Sequence, residues 1–388
     1  MSNRIHLYIH VPFCSGKCAY CAFYSVPYES TLADRFLDAL ERELDGWPPE
    51  AKAAGCETLY IGGGTPSVLS ESQWERLLSI LRPVTRGGVQ EWTVEANPGA
   101  LRAATVKSMD VAGVNRISMG VQSFDDAILE TICRRHSAAD VAAALDVVRA
   151  AGISNVGLDL IAGLPGVDAN GWLSTLTEAV ALDPAHLSVY ALGLEPGSRL
   201  YRQSRAGEVV VPHDDAVTAS LNQAEAVLAG KGYRRYEISN YAKPGRECLH
   251  NLSCWRGNDY VGLGPAASSR VGLNRSTHKA DLDAYCAALE AGSLPPAERE
   301  CVDERTDLCE RLIFGLRLEE GVAFRSRCDD AGAVGRALWE RWQPGLKTLC
   351  EQGLLLQSGD CWKATRRGHE VLDSVLAQLV GSSGDDNG

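Results

Sequence analysis

A chain of 388 residues, 45% apolar and 23% charged, holds two or three globular units, which excludes wholesale disorder and collagen-like or low-complexity classes. Its net charge of −12 repels polyanions and argues against extended nucleic-acid binding, and no run of about 18 apolar residues is present to span a membrane. His6, His10 and Pro12 interrupt the apolar start, so no signal peptide is expected and the chain reads as cytoplasmic.

From the N-terminus, short β-rich runs alternate with longer helical ones. Ile5 to Val11 alternates apolar and polar residues and predicts a strand, followed by a helix from Leu32 to Leu44 and a strand from Thr58 to Ile61. Ser70, with Gln73 three residues on, is a capping-box signature that opens the next helix. Strands follow at Trp92 to Glu95 and Arg116 to Met119, separated by a helix near Thr105 to Ala112. A helix begins near Asp125, Ser137 caps another that ends at Gly152, and strands at Val156 to Leu160 and Leu187 to Tyr190 flank a helix after Gly171. About six strand–helix units predict an α/β fold with a parallel sheet, wound open or curved into a partial or complete barrel.

The rhythm breaks after Tyr233, so residues 1–233 read as one barrel-like domain and residues 234–300 as a functional connector, of which Tyr236 to Arg270 is rich in Gly, Asn, Ser and aromatics with little periodicity. Residues 301–380 read as a small, mainly helical, winged-helix-like domain. Helices are expected near Asp303 to Leu316, Val334 to Gln352 and from Arg366, with β-like runs at Leu354 to Gln357 and Trp362 to Ala364. Residues 381–388 read as a disordered Gly/Ser/Asp tail.

Thirteen cysteines, an odd number with no secretory signal, favour metal or redox chemistry over a disulfide framework. Three of them, Cys14, Cys18 and Cys21, form C-x3-C-x2-C in the loop after the first strand. Three thiolates there can hold a 4Fe-4S cluster while leaving one iron open to a small molecule; zinc, with His10 or a distant group, is the rival occupant. Cys56, Cys133, Cys286, Cys301, Cys309, Cys328, Cys350 and Cys361 read as small buried or half-buried residues.

Other candidates fall at the carboxyl ends of the expected strands, where parallel βα folds gather their chemistry. Gly62-Gly63-Gly64-Thr65-Pro66 follows the second strand, Glu95 closes the third, Gln122 follows the fourth and Asp159 lies late in the fifth. A glycine run lets backbone N–H and C=O groups approach a ligand, and acids offer acceptors to hydroxyls or charge to a cation. Each of these also reads as an ordinary turn or strand end. Arg134 and His136, just beyond, read equally as pocket residues or as a solvated helix end. His250, flanked by Cys248 and Cys254, reads as a metal or haem ligand or as a surface histidine.

The cysteine spacing resembles the cluster motif of the radical S-adenosylmethionine superfamily. More specifically, Tyr8-Ile9-His10-Val11-Pro12-Phe13-Cys14, the GGGTP run, Val94-Glu95-Ala96-Asn97-Pro98, Ser118-Met119-Gly120-Val121-Gln122-Ser123-Phe124 and Leu158-Asp159-Leu160-Ile161-Ala162-Gly163-Leu164-Pro165 are similar to the oxygen-independent coproporphyrinogen oxidase family. The likeness continues through Tyr236-Glu237-Ile238-Ser239-Asn240-Tyr241 and Arg311-Leu312-Ile313-Phe314-Gly315-Leu316. It implies a partial (β/α)6 barrel with a C-terminal helical domain. It also implies cluster ligation by Cys14, Cys18 and Cys21, and contacts to S-adenosylmethionine from Tyr8, Tyr20, Gly63, Gly64, Thr65, Glu95, Gln122, Arg134 and Asp159. Catalytic residues are not assigned.

Within the family, the oxidases carry a further cysteine two residues after the third and an N-terminal extension. Here Phe23 stands at that position and the chain begins close to its first strand. Both features point to the haem-chaperone branch, whose His-Asn-x-x-Tyr-Trp motif corresponds to His250-Asn251-Leu252-Ser253-Cys254-Trp255, with Cys254 in place of tyrosine. Ala266 and Ser268 stand where relatives carry Gly and His. The resemblance therefore implies a chaperone that binds haem through His250 and passes it to acceptor proteins, respiratory enzymes among them, with cluster and S-adenosylmethionine in the barrel. It leaves room for a homodimer and at most peripheral membrane association. Radical decarboxylation of coproporphyrinogen III to protoporphyrinogen IX is the alternative, with Phe23 counting against it. A nucleic-acid-binding C-terminal unit is disfavoured by the net acidity.

Overall fold

The computed structural model describes residues 4–381. Gly381 ends the last helix, and the remainder of the expected disordered tail lies outside the described residues. Six strands, β1 (Ile5–Val11), β2 (Cys56–Gly63), β3 (Glu91–Ala96), β4 (Arg116–Gln122), β5 (Asn155–Ala162) and β6 (His186–Ala191), pair in parallel in chain order. The crossovers include α1 (Ser30–Asp45), α2 (Glu71–Thr85), α3 (Ala103–Ala112), α4 (Ala138–Ala151) and α5 (Ala169–Ala181).

Fully buried parallel strands ordinarily read as continuous apolar runs. These alternate, because the sheet buries two different faces. Leu7, Ile9, Leu59, Ile61, Val94, Ile117, Met119, Leu158 and Leu187 join helix residues such as Phe36, Trp74 and Leu145 in one apolar core. The intervening positions, including Tyr60, Glu95, Arg116, Ser118 and Asp159, carry polar groups that meet one another across the opposite face. Strand pleating thus separates an apolar outer shell from a polar interior.

Local signals set the helix boundaries. Ser70 and Ser137 both form complete capping boxes, with Gln73 and Asp140 respectively, and Gly152 (φ 111°) closes α4 in the left-handed region. Helix α5, expected after Gly171, begins at Ala169 because Asp168 accepts from the Gly171 amide and caps it.

The segment after the sixth strand extends the same sheet at both ends. Strands β7 (Arg234–Arg235) and β8 (Asn240–Ala242) add antiparallel beyond β6, following helix α6 (Asp214–Ala229). After helix α7 (Leu249–Trp255), β9 (Tyr260–Leu263) returns to pair in parallel with β1. Strands β10 (Ser268–Val271), β11 (Asn274–His278) and β12 (Ala297–Cys301) continue antiparallel from there, with α8 (Leu282–Glu290) between the last two. Among the described residues the sheet therefore has 12 strands, and its parallel centre, β1 to β6 with β9 added beside β1, forms a partial, unclosed barrel.

The C-terminal part is mainly helical: α9 (Glu304–Gly315), α10 (Phe324–Asp330), α11 (Gly332–Glu351) and α12 (Leu372–Gly381) surround a three-stranded sheet. Its separate core centres on Leu312, Phe324, Trp342, Leu346 and Trp362. The helix expected from Arg366 is interrupted at Val371, whose backbone leaves helical geometry. All thirteen cysteines are free thiols, and Cys301 is an exception to the expected burial, being exposed on edge strand β12.

Candidate cofactor site

The cysteine loop leaves β1 at Pro12 and is tied down at several points. Val26 N donates to Pro12 O at 2.7 Å and Tyr28 N to Cys14 O at 2.9 Å, forming a small parallel pair at its base. Ala19 N donates to Ile132 O at 2.9 Å, while Leu200 N donates to Ala19 O at 2.7 Å. Cys14, Cys18 and Cys21 are all half-buried. Burial pushes the Cys21 thiol up, opposed by the Phe23 amide and Lys17. Among the described residues no three His, Cys, Asp or Glu groups converge closely enough to hold one metal ion. Cys14, Cys18 and Cys21 would instead hold a 4Fe-4S cluster, which would supply one-electron chemistry.

The Gly62–Gly64 turn meets the loop directly. Gly64 N donates to Val11 O at 2.9 Å, Thr65 N to Phe13 O at 2.7 Å, and Thr65 Oγ1 lies 3.5 Å from Cys14 Sγ. Here glycine is required by space: a Cβ on Gly62 would stand 2.7 Å from Glu95 Oε2, and one on Gly64 would stand 2.5 Å from Phe13 O. Gly63 adopts φ 105° and its amide donates to Glu95 Oε2 at 3.2 Å.

Glu95 accepts a second bond, 2.7 Å from the Tyr60 hydroxyl. Burial raises its pKa to about 7; the Tyr60 bond opposes the rise and neighbouring Asp159 adds to it. Asp159 is raised by burial as well, opposed by hydrogen bonds from Ser188 and Ser118 and by the charges of Arg116 and Arg134. The two acids and two arginines form the charged centre of the interior.

Strand β4 closes the arrangement. Its pairing with β5 shifts register between Gly120 and Gln122, and Gln122 is held at φ 71° with its side chain buried. Arg134 bonds the Gly120 carbonyl and reaches Cys18 Sγ at 3.6 Å, whereas His136 is turned away onto Val121 O at 3.1 Å. Of the two residues that read as candidates on that segment, the structure brings Arg134 alone to the cysteine loop. Gln122 Oε1 and Arg134 Nε are buried without a hydrogen-bond partner among the described residues. Orphaned polar atoms, a glycine cradle and three thiols suit the donor and acceptor groups of S-adenosylmethionine beside a cluster. Tyr8 lies in the same interior, its hydroxyl 3.1 Å from His10 Nδ1, and Tyr20 is close to Cys18 and Arg134.

Sequence reasoning passed over Tyr60, Ser118, Ser188 and Arg116. For Tyr60, Ser118 and Ser188 the alternation of β2, β4 and β6 carries the signal, since each stands between two apolar residues; Arg116, which follows Asn115 at the start of β4, carries no such signal. It also passed over Thr58 and Glu91, which lie toward the opposite end of the barrel. There His250, 6% exposed, sits 2.8 Å from Thr58 Oγ1 through Nδ1, and Thr58 Oγ1 is shared with His6 Nδ1 at 2.9 Å. Glu91 accepts from the amides of Leu249 and His250 at 2.9 and 3.0 Å, and Cys248 Sγ lies 3.4 Å away. Burial, aided by His6 and Arg116, lowers the His250 pKa to about 3, so the ring is neutral. His250 and the cysteine loop therefore belong to opposite ends of the barrel.

This fold and loop define a radical S-adenosylmethionine type of protein: residues 8–179 match the Radical SAM superfamily and residues 302–371 the HemN C-terminal domain. The solved coproporphyrinogen III oxidase (HemN) of Escherichia coli shares the fold, with a TM-score of 0.82 at 22% identity over 97% of this chain and 90% of that one. The heme chaperone HemW of Bacillus subtilis is 33% identical over 96% of this chain and 98% of its own length. Those of Escherichia coli K12 and Haemophilus influenzae are 33% and 36% identical, each over 96% of this chain and 97% of the relative. The chain belongs to the HemW family. Among the described residues no helix is long and apolar enough to cross a membrane.

Proposed function

We propose that this protein is a haem chaperone: it binds haem and transfers it to an acceptor protein, and it carries a 4Fe-4S cluster and S-adenosylmethionine. The observation that carries the cofactor part is the meeting of the cysteine loop with the Gly62–Gly64 turn and Arg134. Cys14, Cys18 and Cys21 would hold the cluster, which supplies one-electron chemistry when bound. Glu95 and Asp159 would receive the ligand's hydroxyls and balance its sulfonium charge, while Gln122 and Arg134 would offer a free acceptor and donor. Tyr8, Tyr20, Gly63, Gly64 and Thr65 complete the contact set.

Chaperone is favoured over oxidase by the near-full-length HemW relatives and by Phe23, 73% exposed where the oxidases have a further cysteine. His250 is the assigned haem ligand. The proposal also includes a cytoplasmic location, haem-requiring respiratory enzymes among the acceptors, and a division into a barrel (1–233), a haem-binding connector (234–300) and a C-terminal domain (301–380).

One preparation tests the reading. After anaerobic reconstitution, iron and sulfide are counted, haem is titrated, and the sample is assayed with coproporphyrinogen III. Four irons with stoichiometric haem uptake and no protoporphyrinogen are expected. Protoporphyrinogen formation would establish the oxidase instead, and zinc alone at the cysteines would remove the cluster.

A further inference from the structure

His250 is largely enclosed. Its Nδ1 is engaged by Thr58 at 2.8 Å, its ring lies 5.2 Å from that of Tyr60, and only 6% of the residue is exposed. A haem, which needs an imidazole nitrogen along its axis and space for the macrocycle across it, does not fit this arrangement.

What covers the segment is a mixed seam: Leu318 is buried with Tyr236, Cys248 and Leu252 in a small apolar cluster, and polar pairs surround it. Trp255, at the end of α7, packs against Phe314 of α9 at 5.8 Å and under Arg317 at 5.4 Å. Arg256 forms a two-pronged pair with Glu320 at 2.8 and 2.9 Å. Arg235 meets Glu319 at 2.7 Å, Arg275 meets Glu310 at 2.9 Å, and Arg270 pairs with Asp307. In these four ion pairs the cation comes from residues 234–300 and the acid from the C-terminal part, while Arg317 and Arg311 reach back the other way, onto the Trp255 ring and Gly257 O. Interfaces within a chain that rest on such pairs are those across which units move, and their exposed pairs are weak and screened by salt.

We propose that this is the closed state of the haem-accepting segment, and that haem reaches His250 only after the C-terminal part releases α7 from the barrel floor. The proposal rests on the haem-chaperone reading and adds its gate. Glu91 and Thr58 hold the closed position from inside, through the α7 amides and the His250 ring; Glu320 and its neighbours hold it from outside. Bonds present only in the closed state oppose opening, so removing one shifts the population toward the open state and speeds haem capture.

The test mixes haemin with the full-length protein and follows the Soret band by stopped flow. Thr58→Val and Glu320→Gln should each accelerate association on the order of threefold to tenfold, the equivalent of one net hydrogen bond. Higher salt should accelerate the wild type more than Glu320→Gln, and deuterium exchange across residues 248–256 should rise when haem is bound. Should Thr58→Val misfold, Glu320→Gln at the surface carries the test. Haem bound through His250 with variant rates at or below wild type, and exchange unchanged, would overturn the gate alone. An unaltered Soret spectrum in His250→Ala would overturn the ligand and the gate together, and absence of haem binding would overturn the chaperone reading itself.

Discussion

The Tyr60 hydroxyl donates to Glu95 Oε1 at 2.7 Å while the Tyr60 ring lies 5.2 Å from that of His250, so one side chain touches both the acid beside the glycine turn and the helix on the barrel floor. Tyr60→Phe keeps the ring and removes the donor. Because that bond favours the ionised carboxylate, the variant should bind S-adenosylmethionine about tenfold more weakly at pH 7, recovering at higher pH. Equilibrium dialysis of the cluster-reconstituted protein measures this; equal affinity at pH 7 would separate Glu95 from ligand binding.

The raised pKa of Glu95, about 7, gives a second prediction. Below that value the carboxyl is mostly protonated and neutral; above it the carboxylate is present to balance a sulfonium cation. Affinity for S-adenosylmethionine should therefore rise between pH 6 and pH 8, with proton release on binding near the lower end. Glu95→Gln should bind weakly and flatten the profile. A wild-type profile already flat across this window would refute the assignment.

Gly64→Ala places a methyl 2.5 Å from the Phe13 carbonyl oxygen, in backbone that cannot rotate aside. The turn and the cysteine loop must separate, which should lower iron and sulfide content after reconstitution severalfold. The remote C-terminal core should melt as before. Full iron loading in the variant would show that the close approach is not needed to assemble the site.

Gly335 provides the opposite case. A Cβ there would stand 1.9 Å from Cys328 O, where α11 crosses α10. Gly335→Ala should destabilise the C-terminal part by about 1–3 kcal/mol, the range for overpacked positions, and leave reconstitution of the cysteine loop intact. Differential scanning calorimetry with an iron count reads both.

The parts of this architecture with local causes were legible in the sequence. Ser70 announced its helix through Gln73 three positions on, Ser137 read as a cap, and β1 announced itself by alternation. Cys14, Cys18 and Cys21 were legible because their spacing is short. Tyr236 to Arg270 shows little periodicity in the sequence because its strands are three or four residues long, too brief to express a period, and take partners as distant as β1. His250 could be noticed but not placed: its burial depends on Thr58 and Glu91, far upstream, and on a C-terminal part that packs over it. Helix α10 escaped because its seven residues carry only the Phe324 and Cys328 pair on their buried side, too short a pattern to express a period.

The division of the sheet into a greasy outside and a charged inside has a consequence for how the molecule assembles. Were any central strand to pair one place out of step, Leu59 or Val94 would face the lumen, and Tyr60 or Glu95 would be thrust among Phe36, Trp74 and the other helix anchors. Such a misalignment would strand ions in oil and forfeit the shell at once. Correct threading and a chemically competent interior are thus the same event, and a misregistered chain would be too unstable to persist as an inactive look-alike.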